Sequence, residues 1–235
     1  MVGRMLVWFL VVLAACEARQ GRAQERLFTI IPKANFTTGS QLFPSPNSSD
    51  EIKRATYLPI DDIYGFGLDV RFRIPESNIS FGLSADYIRT TTSQTRRVFP
   101  QLSIPIEDGY RVIPVELTGY FLIPVSGQTW GVYMGGGAGV YFGRRIYRYA
   151  EVDAPATNEG HGFGIHVLGG LSYGVADWFA VHVEMKFRDH QFEATNAFSA
   201  SQTSYRGQLV DLPDPGEARV NTNGIVFQIG TAFSF

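Results

Sequence analysis

The sequence predicts an all-β protein: an eight-stranded antiparallel transmembrane up-and-down β-barrel with short periplasmic turns and long extracellular loops. Three observations predict this fold. Large apolar residues alternate with small or polar ones in eight segments, the connections between the segments alternate between short and long, and no segment has a helical period. A period of two is typical of a strand with one apolar face. Connections that alternate in length are typical of barrels in outer membranes.

The composition agrees with this fold and argues against several classes of function. Of the 235 residues, 14% are aromatic and 18% are charged, against about 25% charged residues in a typical globular chain. The net charge of −2 and the lack of a basic stretch argue against a nucleic-acid partner. Cys16 is the single cysteine of the sequence, so we expect no disulfide, no thiol site for a metal and no cofactor.

The amino-terminal residues predict an export signal. Arg4 precedes an apolar run over residues 6–15, which is too short to span a membrane as a helix and has the length of a signal-peptide core. We therefore expect a signal peptide over residues 1–23 and an outer-membrane barrel domain over residues 24–235.

Two processing routes for this signal remain open. Leu13-Ala14-Ala15-Cys16 resembles the lipobox of bacterial lipoproteins, in which case Cys16 would be lipidated. Gly21-Arg22-Ala23 offers small residues for ordinary cleavage, in which case Cys16 would be removed with the signal peptide.

Each predicted strand has large apolar residues at every second position. Strands one to four run from Phe28 to Phe36 around Lys33, from Tyr64 to Ile74 around Asp69, Arg71 and Arg73, from Ile79 to Tyr87 around Asp86, and from Ile113 to Ile123 around Glu116. Strands five to eight run from Trp130 to Phe142 around a series of glycines, from Phe163 to Tyr173 around His166, from Phe179 to Phe187 around Glu184 and Lys186, and from Ile225 to Phe235 around Gln228. The long connections, predicted to be extracellular loops, cover residues 37–63, 88–112, 144–161 and 189–222.

The polar face of these strands is predicted to line the lumen, and the apolar face is predicted to contact lipid. Glycine is frequent on the polar face, where it suits the crowded interior of a narrow barrel better than a solvated surface. Aromatic residues lie near the strand ends of the apolar face, which predicts two aromatic girdles around an aliphatic band. The alternative is a soluble, ligand-carrying barrel of the lipocalin kind, whose apolar face would line the interior.

Nearly balanced charges on the polar face predict a network inside the barrel. The candidate members are Lys33, Asp69, Arg71, Arg73, Asp86, Glu116, Glu184, Lys186 and Arg188. We interpret them as ion pairs that fill the lumen, because eight strands leave just enough interior for side chains and buried charges must be paired. The alternative is a narrow, gated, porin-like channel for small solutes or ions.

The last strand is predicted to close the ring, because an unpaired strand edge is not tolerated in hydrocarbon. With the glycine-rich residues 131–141 and the ending Phe233-Ser234-Phe235, the chain resembles the eight-stranded outer-membrane β-barrel family that includes the OmpA barrel domain and OmpX-like proteins. The resemblance implies a location in the bacterial cell outer membrane, with outer-membrane lipid and lipopolysaccharide as partners. It also implies that Phe233 and Phe235 form an assembly signal for the barrel-assembly machinery.

The function expected from these features is a structural or surface-interaction role without catalysis, with a channel as the alternative. A rim-located, lipid-modifying enzyme comes third, because no spacing among the candidate residues defines a nucleophile and its base. These candidates are Glu159, His161, Asp189, His190, Ser199 and Ser201. The apolar residues of the last connection, including Phe192, Tyr205 and Val210, either contact a surface partner or fold over the barrel mouth.

Overall fold

The computed structural model describes residues 26–99, 102–124 and 129–235. The predicted signal peptide over residues 1–23, with Cys16, lies outside these described residues. Among them, no helix is both long enough and apolar enough to cross a membrane.

Within the described residues, the chain forms thirteen strands and one short helix. In chain order they are β1 (Phe28–Phe43), α1 (Glu51–Ala55), β2 (Leu58–Arg73), β3 (Ile79–Phe99), β4 (Leu102–Leu122), β5 (Trp130–Tyr149), β6 (Val152–Ala154), β7 (Ala156–Asn158), β8 (Gly160–Ala176), β9 (Phe179–Asn196), β10 (Gln202–Tyr205), β11 (Gln208–Asp211), β12 (Glu217–Asn221) and β13 (Ile225–Ser234). Helix α1 begins after Asp50, whose side chain caps it by accepting a hydrogen bond from the amide of Ile52.

Eight of these strands form a closed antiparallel ring in the order β1, β2, β3, β4, β5, β8, β9 and β13. The ring closes between β13 and β1, where Phe36 lies opposite Phe227 and Lys33 lies opposite Gly230. The predicted eight-stranded up-and-down barrel is therefore confirmed, and its last strand has the closing role expected from the sequence.

The barrel strands extend well beyond the predicted segments at the end with the long connections, which is the extracellular end of this fold. Strands β3 and β4 are 21 residues each and pair as far as Phe99 and Leu102. The prediction of a loop over residues 88–112 is therefore wrong, since most of these residues form a hairpin. The apolar alternation in the sequence ends near Tyr87 and Ile113, although the hydrogen-bonded ladder continues to Phe99 and Leu102.

The apolar face of the ring points outward. Phe163 and Ile165 are 82% and 66% exposed, whereas Asp69 and Glu116 are both 0% exposed. Aromatic rings meet near both ends of the band: Trp130 and Tyr173 at the short-turn end with centroids 4.6 Å apart, and Phe66 and Tyr87 at the extracellular end with centroids 5.4 Å apart. This arrangement excludes the soluble barrel with an apolar interior.

Candidate functional site

The polar interior of the barrel contains eight of the nine predicted network residues. Each of these eight is at most 9% exposed: Lys33, Asp69, Arg71, Asp86, Glu116, Glu184, Lys186 and Arg188. Arg73 differs, because it is the last residue of β2 and is exposed at the periplasmic opening. Its predicted place in the interior network is therefore wrong: the alternation identifies its face, but water solvates the side chain at the strand end.

One cluster of this interior surrounds Arg71. The Arg71 guanidinium pairs with Glu184, and its Nε donates a hydrogen bond to Asp69 Oδ2 at 2.8 Å. The Tyr120 hydroxyl donates to the same Asp69 oxygen at 2.9 Å, and the Tyr133 hydroxyl donates to Glu184 Oε1 at 2.8 Å. The guanidinium also lies 3.9 Å from the centre of the Tyr120 ring, so cation–π attraction adds to the ion pairs. We call these five residues the Arg71 cluster.

A second cluster surrounds Glu116, nearer the extracellular end. Glu116 accepts hydrogen bonds from Lys186 Nζ at 2.8 Å, from Arg188 Nε at 2.7 Å and from the Tyr141 hydroxyl at 2.7 Å. Arg188 also pairs with Asp86. We call these residues the Glu116 cluster; they come from β3, β4, β5 and β9, so the contacts tie opposite walls of the barrel together.

The formal charges of the eight interior residues balance. Lys33 Nζ lies 3.3 Å from Asp86 Oδ1 and adds β1 to the network. The eight residues then comprise four carboxylates and four cations. Removal of one partner of such a buried pair costs about 3–5 kcal/mol, since the remaining charge is left uncompensated.

Glycines make room for these side chains, as the sequence predicts. A Cβ atom on Gly67 would overlap the Asp86 carboxylate, and a Cβ atom on Gly139 would lie 2.8 Å from Glu116 Cγ. The packing of the interior charged side chains therefore requires glycine at these neighbouring positions.

An apolar layer closes the lumen on the extracellular side of the Glu116 cluster. The Tyr141 ring stacks on His190 with centroids 3.6 Å apart, and Tyr110 meets Phe192 edge-on with centroids 6.1 Å apart. Tyr110, Tyr141 and Phe192 belong to a cluster of buried residues that we call the hydrophobic plug. Its members are Leu42, Ile60, Ile63, Ile88, Tyr110, Val112, Tyr141, Phe192, Ala194, Ala218 and Val220. A Cβ atom on Gly143 would collide with the Phe192 ring, so the plug leaves no space at that wall.

The β10–β11 hairpin packs on a second apolar cluster, beyond the plug. Tyr205 and Val210 pack against Leu102, Ile104 and Tyr149, which face the lumen side of the extensions of β4 and β5. Of the two interpretations of this connection, the structure therefore favours the fold over the barrel mouth.

A buried ion pair holds the segment that follows the β10–β11 hairpin. Arg145 donates hydrogen bonds of 2.8 Å and 2.6 Å to Asp108 and a third of 3.0 Å to the carbonyl oxygen of Pro215. The segment after the hairpin is thus attached to the barrel wall by a side chain that is 3% exposed.

The candidate catalytic residues are not brought together. His190 is buried, where Thr222 hydrogen-bonds its ring, and its neighbour Asp189 faces outward. His161 is exposed and contacts the Phe142 ring. The remaining candidates, Glu159, Ser199 and Ser201, are exposed in the connections. In the described part of the chain, no group of three or more His, Cys, Asp or Glu side chains is placed to hold a metal ion.

Sequence reasoning missed the interior tyrosines. Tyr120, Tyr133 and Tyr141 donate to three different network carboxylates. In the sequence they occupy the same alternating face as the charged residues, and this shared face could have predicted that they lie in the lumen.

Comparison with known proteins adds only general similarities. No family model matches the sequence, and no curated protein matches it. Among solved structures, Neisserial surface protein A has 11% identity over 88% of this chain and 97% of its own, with a TM-score of 0.43. Ail, the attachment invasion locus protein of Yersinia pestis, has 12% identity over 89% of this chain and 99% of its own, with a TM-score of 0.42. The outer membrane protease OmpT from Escherichia coli has 8% identity over 93% of this chain and 99% of its own, with a TM-score of 0.44. TM-scores below 0.5 carry no argument about this chain, so the fold assignment rests on the ring of eight strands described above.

Proposed function

We propose that this protein is a barrel of the bacterial outer membrane that presents an extended β-sheet for interaction at the cell surface, without catalysis and without a conducting pore. The observation that carries this proposal is the projection of β3 and β4 beyond the rest of the ring. The outer-membrane location is supported by the outward apolar band and by the aromatic pairs near its two ends.

The projecting sheet has one open edge. Strand β2 pairs with β3 only as far as Gly65 and Ile88, whereas β4 pairs with β3 as far as Phe99. Eleven residues of β3 therefore continue past the last pair with β2, a length of about 36 Å at 3.3 Å per residue. In the described residues, this stretch has a partner strand on the β4 side only. An open edge of this kind is a template for an added strand from another chain.

The sequence of the open edge favours this role. Residues 90–95 are Thr, Thr, Thr, Ser, Gln and Thr, which combines strand propensity with exposed side chains at Thr91, Ser93 and Thr95. No proline or lysine occurs over residues 88–99, and the charged residues Arg89, Arg96 and Arg97 lie outside the uncharged run 90–95.

The interior supports a role outside the lumen. The Arg71 cluster, the Glu116 cluster and the hydrophobic plug occupy successive levels of the barrel, and the β10–β11 hairpin packs on the extensions of β4 and β5 beyond them. Solutes would have to displace paired charges and a packed apolar layer to pass. This arrangement favours a surface role over the channel.

Adhesion of bacteria that display the protein tests the surface role. Wild-type cells are expected to bind to at least one member of a panel of immobilised extracellular proteins, and the variant Ser93→Lys/Thr95→Lys is expected to lose most of that binding, because lysine on an edge disfavours strand addition. The matched control Gln191→Lys/Thr195→Lys lies on β9, which has partner strands on both sides, and should bind like the wild type. Equal binding by both variants would contradict the proposed edge.

Conductance tests the channel alternative with the same protein. In a planar bilayer, the wild type is expected to give no stepwise current, and heat-modifiable migration in a detergent gel verifies that the barrel is folded. Stepwise current from the folded wild type would favour the channel instead.

A further inference from the structure

Three arginines lie side by side on the outer surface of the barrel. Arg89 is directly opposite Arg111 in the β3–β4 ladder, and Arg111 is directly opposite Arg144 in the β4–β5 ladder. Their chain neighbours Ile88 and Val112 are buried inside, so the arginine side chains point outward. Directly opposite residues have Cβ atoms about 5 Å apart, and the three guanidinium groups therefore share one surface, which we call the arginine patch.

The arginine patch lacks ion-pair partners in the part of the chain that the structure describes. Among the described residues, none of its three members forms an ion pair, whereas Arg148 on the same strand β5 pairs with Asp153 and Glu107. Like charges directly opposite each other on a sheet are destabilising. An anion held between the guanidinium groups would remove this repulsion, and phosphate suits arginine because its oxygens accept bidentate hydrogen bonds.

An apolar groove runs below the arginine patch on β3, β4 and β5, and Phe163 of β8 also lines it. Its volume is about 460 Å³. Gly119 lies opposite Gly136, so small residues form the floor there, while the larger Phe81 and Leu117 also line the groove. The groove faces the lipid side, because the side chains that line it, such as Leu117 and Phe163, belong to the outward apolar face.

The spacing of the two features fits one molecule. Val115 of the groove and Arg111 of the patch are four residues apart on β4, which corresponds to about 13 Å along the strand. Val140 and Arg144 have the same separation on β5. A charged headgroup at the patch therefore has its hydrocarbon chains directed into the groove.

The geometry points to a binding site for a lipid of the outer leaflet that carries phosphate on its headgroup, with the phosphate at Arg89, Arg111 and Arg144 and an acyl chain in the groove. This inference rests on the proposed outer-membrane location. Free phosphate would use only the patch, and an uncharged lipid would use only the groove, so the experiment must separate these sources.

Lipid binding by the purified, folded protein in a neutral detergent tests the site. The probe is lipid A with two phosphates, the readout is bound lipid by native mass spectrometry, and heat-modifiable migration confirms the folding of every variant. Arg89→Gln/Arg111→Gln/Arg144→Gln is expected to weaken binding roughly a hundredfold, since each arginine near an anionic surface contributes roughly a fivefold effect. The triple Arg→Lys variant should keep most of the binding, and the control Arg148→Gln should bind like the wild type.

Substitutions in the groove test the acyl-chain part of the site separately. Gly119→Leu fills the floor where a Cβ atom meets no atom closer than 3.8 Å, and it should reduce lipid A binding while the arginine patch stays intact. Gly169→Leu is the matched control, because its Cβ atom meets nothing within 4 Å and Gly169 lies outside the groove.

Three outcomes would overturn the inference: equal binding of lipid A and its dephosphorylated form, an unchanged affinity in the triple Gln variant, or displacement of lipid A by millimolar inorganic phosphate alone. Membrane fractionation separates this inference from the proposed function. A wild-type protein outside the outer-membrane fraction contradicts the proposed location, whereas a wild type in that fraction with arginine-independent lipid binding contradicts the lipid site only.

Discussion

Two regions of the molecule contain arginine–carboxylate pairs of almost the same length in different surroundings. In the lumen, Arg188 Nε lies 2.7 Å from Glu116 Oε1, and the two side chains are 1% and 0% exposed. On the extracellular extension, Arg148 Nε lies 2.6 Å from Asp153 Oδ1, and the two side chains are 44% and 67% exposed. The distance does not distinguish the pairs; their access to water does. Solvated pairs contribute little to stability, whereas loss of one partner in a buried pair leaves a charge without solvent or partner.

The largest effect is expected from Glu116→Gln. The substitution removes the carboxylate shared by Lys186 and Arg188 and should lower the free energy of unfolding by about 3–5 kcal/mol. Urea unfolding followed by tryptophan fluorescence in detergent or lipid vesicles measures this change. Glu193→Gln is the matched control, since Glu193 is paired with the partly exposed Arg219, and its effect should stay below about 1 kcal/mol. Similar losses in the two variants would remove the distinction between the regions.

An alkaline titration of Tyr110 examines a buried group of the plug that lies outside the membrane-spanning part of β4. Burial raises the pKa of Tyr110 from 10.0 to about 12, partly offset by a hydrogen bond with Ser40. The unfolded chain therefore releases this proton first, and the stabilisation is complete below pH 10 and is lost as the pH rises to about 12. The expected loss is about 2–3 kcal/mol.

Unfolding midpoints of the wild type and Tyr110→Phe at pH 9 and pH 12 measure this loss of stability. The variant should lose less stability than the wild type over the interval, whereas Tyr57→Phe, which alters an exposed ring, should follow the wild type. Parallel curves for the wild type and Tyr110→Phe would count against this prediction.

Gly143→Ala tests the packing of the barrel wall against the hydrophobic plug. The added Cβ atom collides with the Phe192 ring, so we expect a loss of about 1–3 kcal/mol in the same unfolding assay. The double variant Gly143→Ala/Phe192→Leu should be less destabilised than the sum of the two single changes. Additive effects would indicate that the two positions do not compete for space.

The smallest effect is expected for Asp153→Asn in the extracellular pair. The hydrogen bond from Arg148 lowers the pKa of Asp153 below its ordinary value of 3.8. The contribution of this pair is therefore present above that pH and is lost as the pH falls through the lower value of the folded state. Unfolding midpoints at pH 7 should be the same for the wild type and the variant within the scatter of the assay. A shift as large as that of Glu116→Gln would contradict the importance of solvent access.

The sequence was sufficient to predict which face of each membrane-spanning segment is inside. A period of two assigns Asp69, Glu116 and Lys186 to one face, and composition identifies that face as the lumen. The same period carries no information on height along the barrel. Arg73 was for this reason placed with the interior charges, although it lies at an open end.

The extracellular half was harder to predict for a physical reason. Above the membrane both faces of a strand can meet water or other protein, so the outward residues need not be apolar. The inward residues Ile88, Tyr110 and Val112 form the hydrophobic plug, but in the sequence they lie among the polar outward residues of a supposed loop. The arginine patch was equally hidden, because its three members are adjacent only through the register of three strands.

The closure between β1 and β13 has a consequence for the order of folding. Neighbouring hairpins such as β3–β4 join residues that are close in the chain, whereas Thr29 and Ser234 meet across 205 positions. Contacts of such sequence separation form slowly, because the entropy of a long loop must be overcome first. We therefore expect the hairpins to form early and this junction to form last. The barrel then remains an open sheet until the final step, and the rate of that step sets how long its edges stay available to other chains.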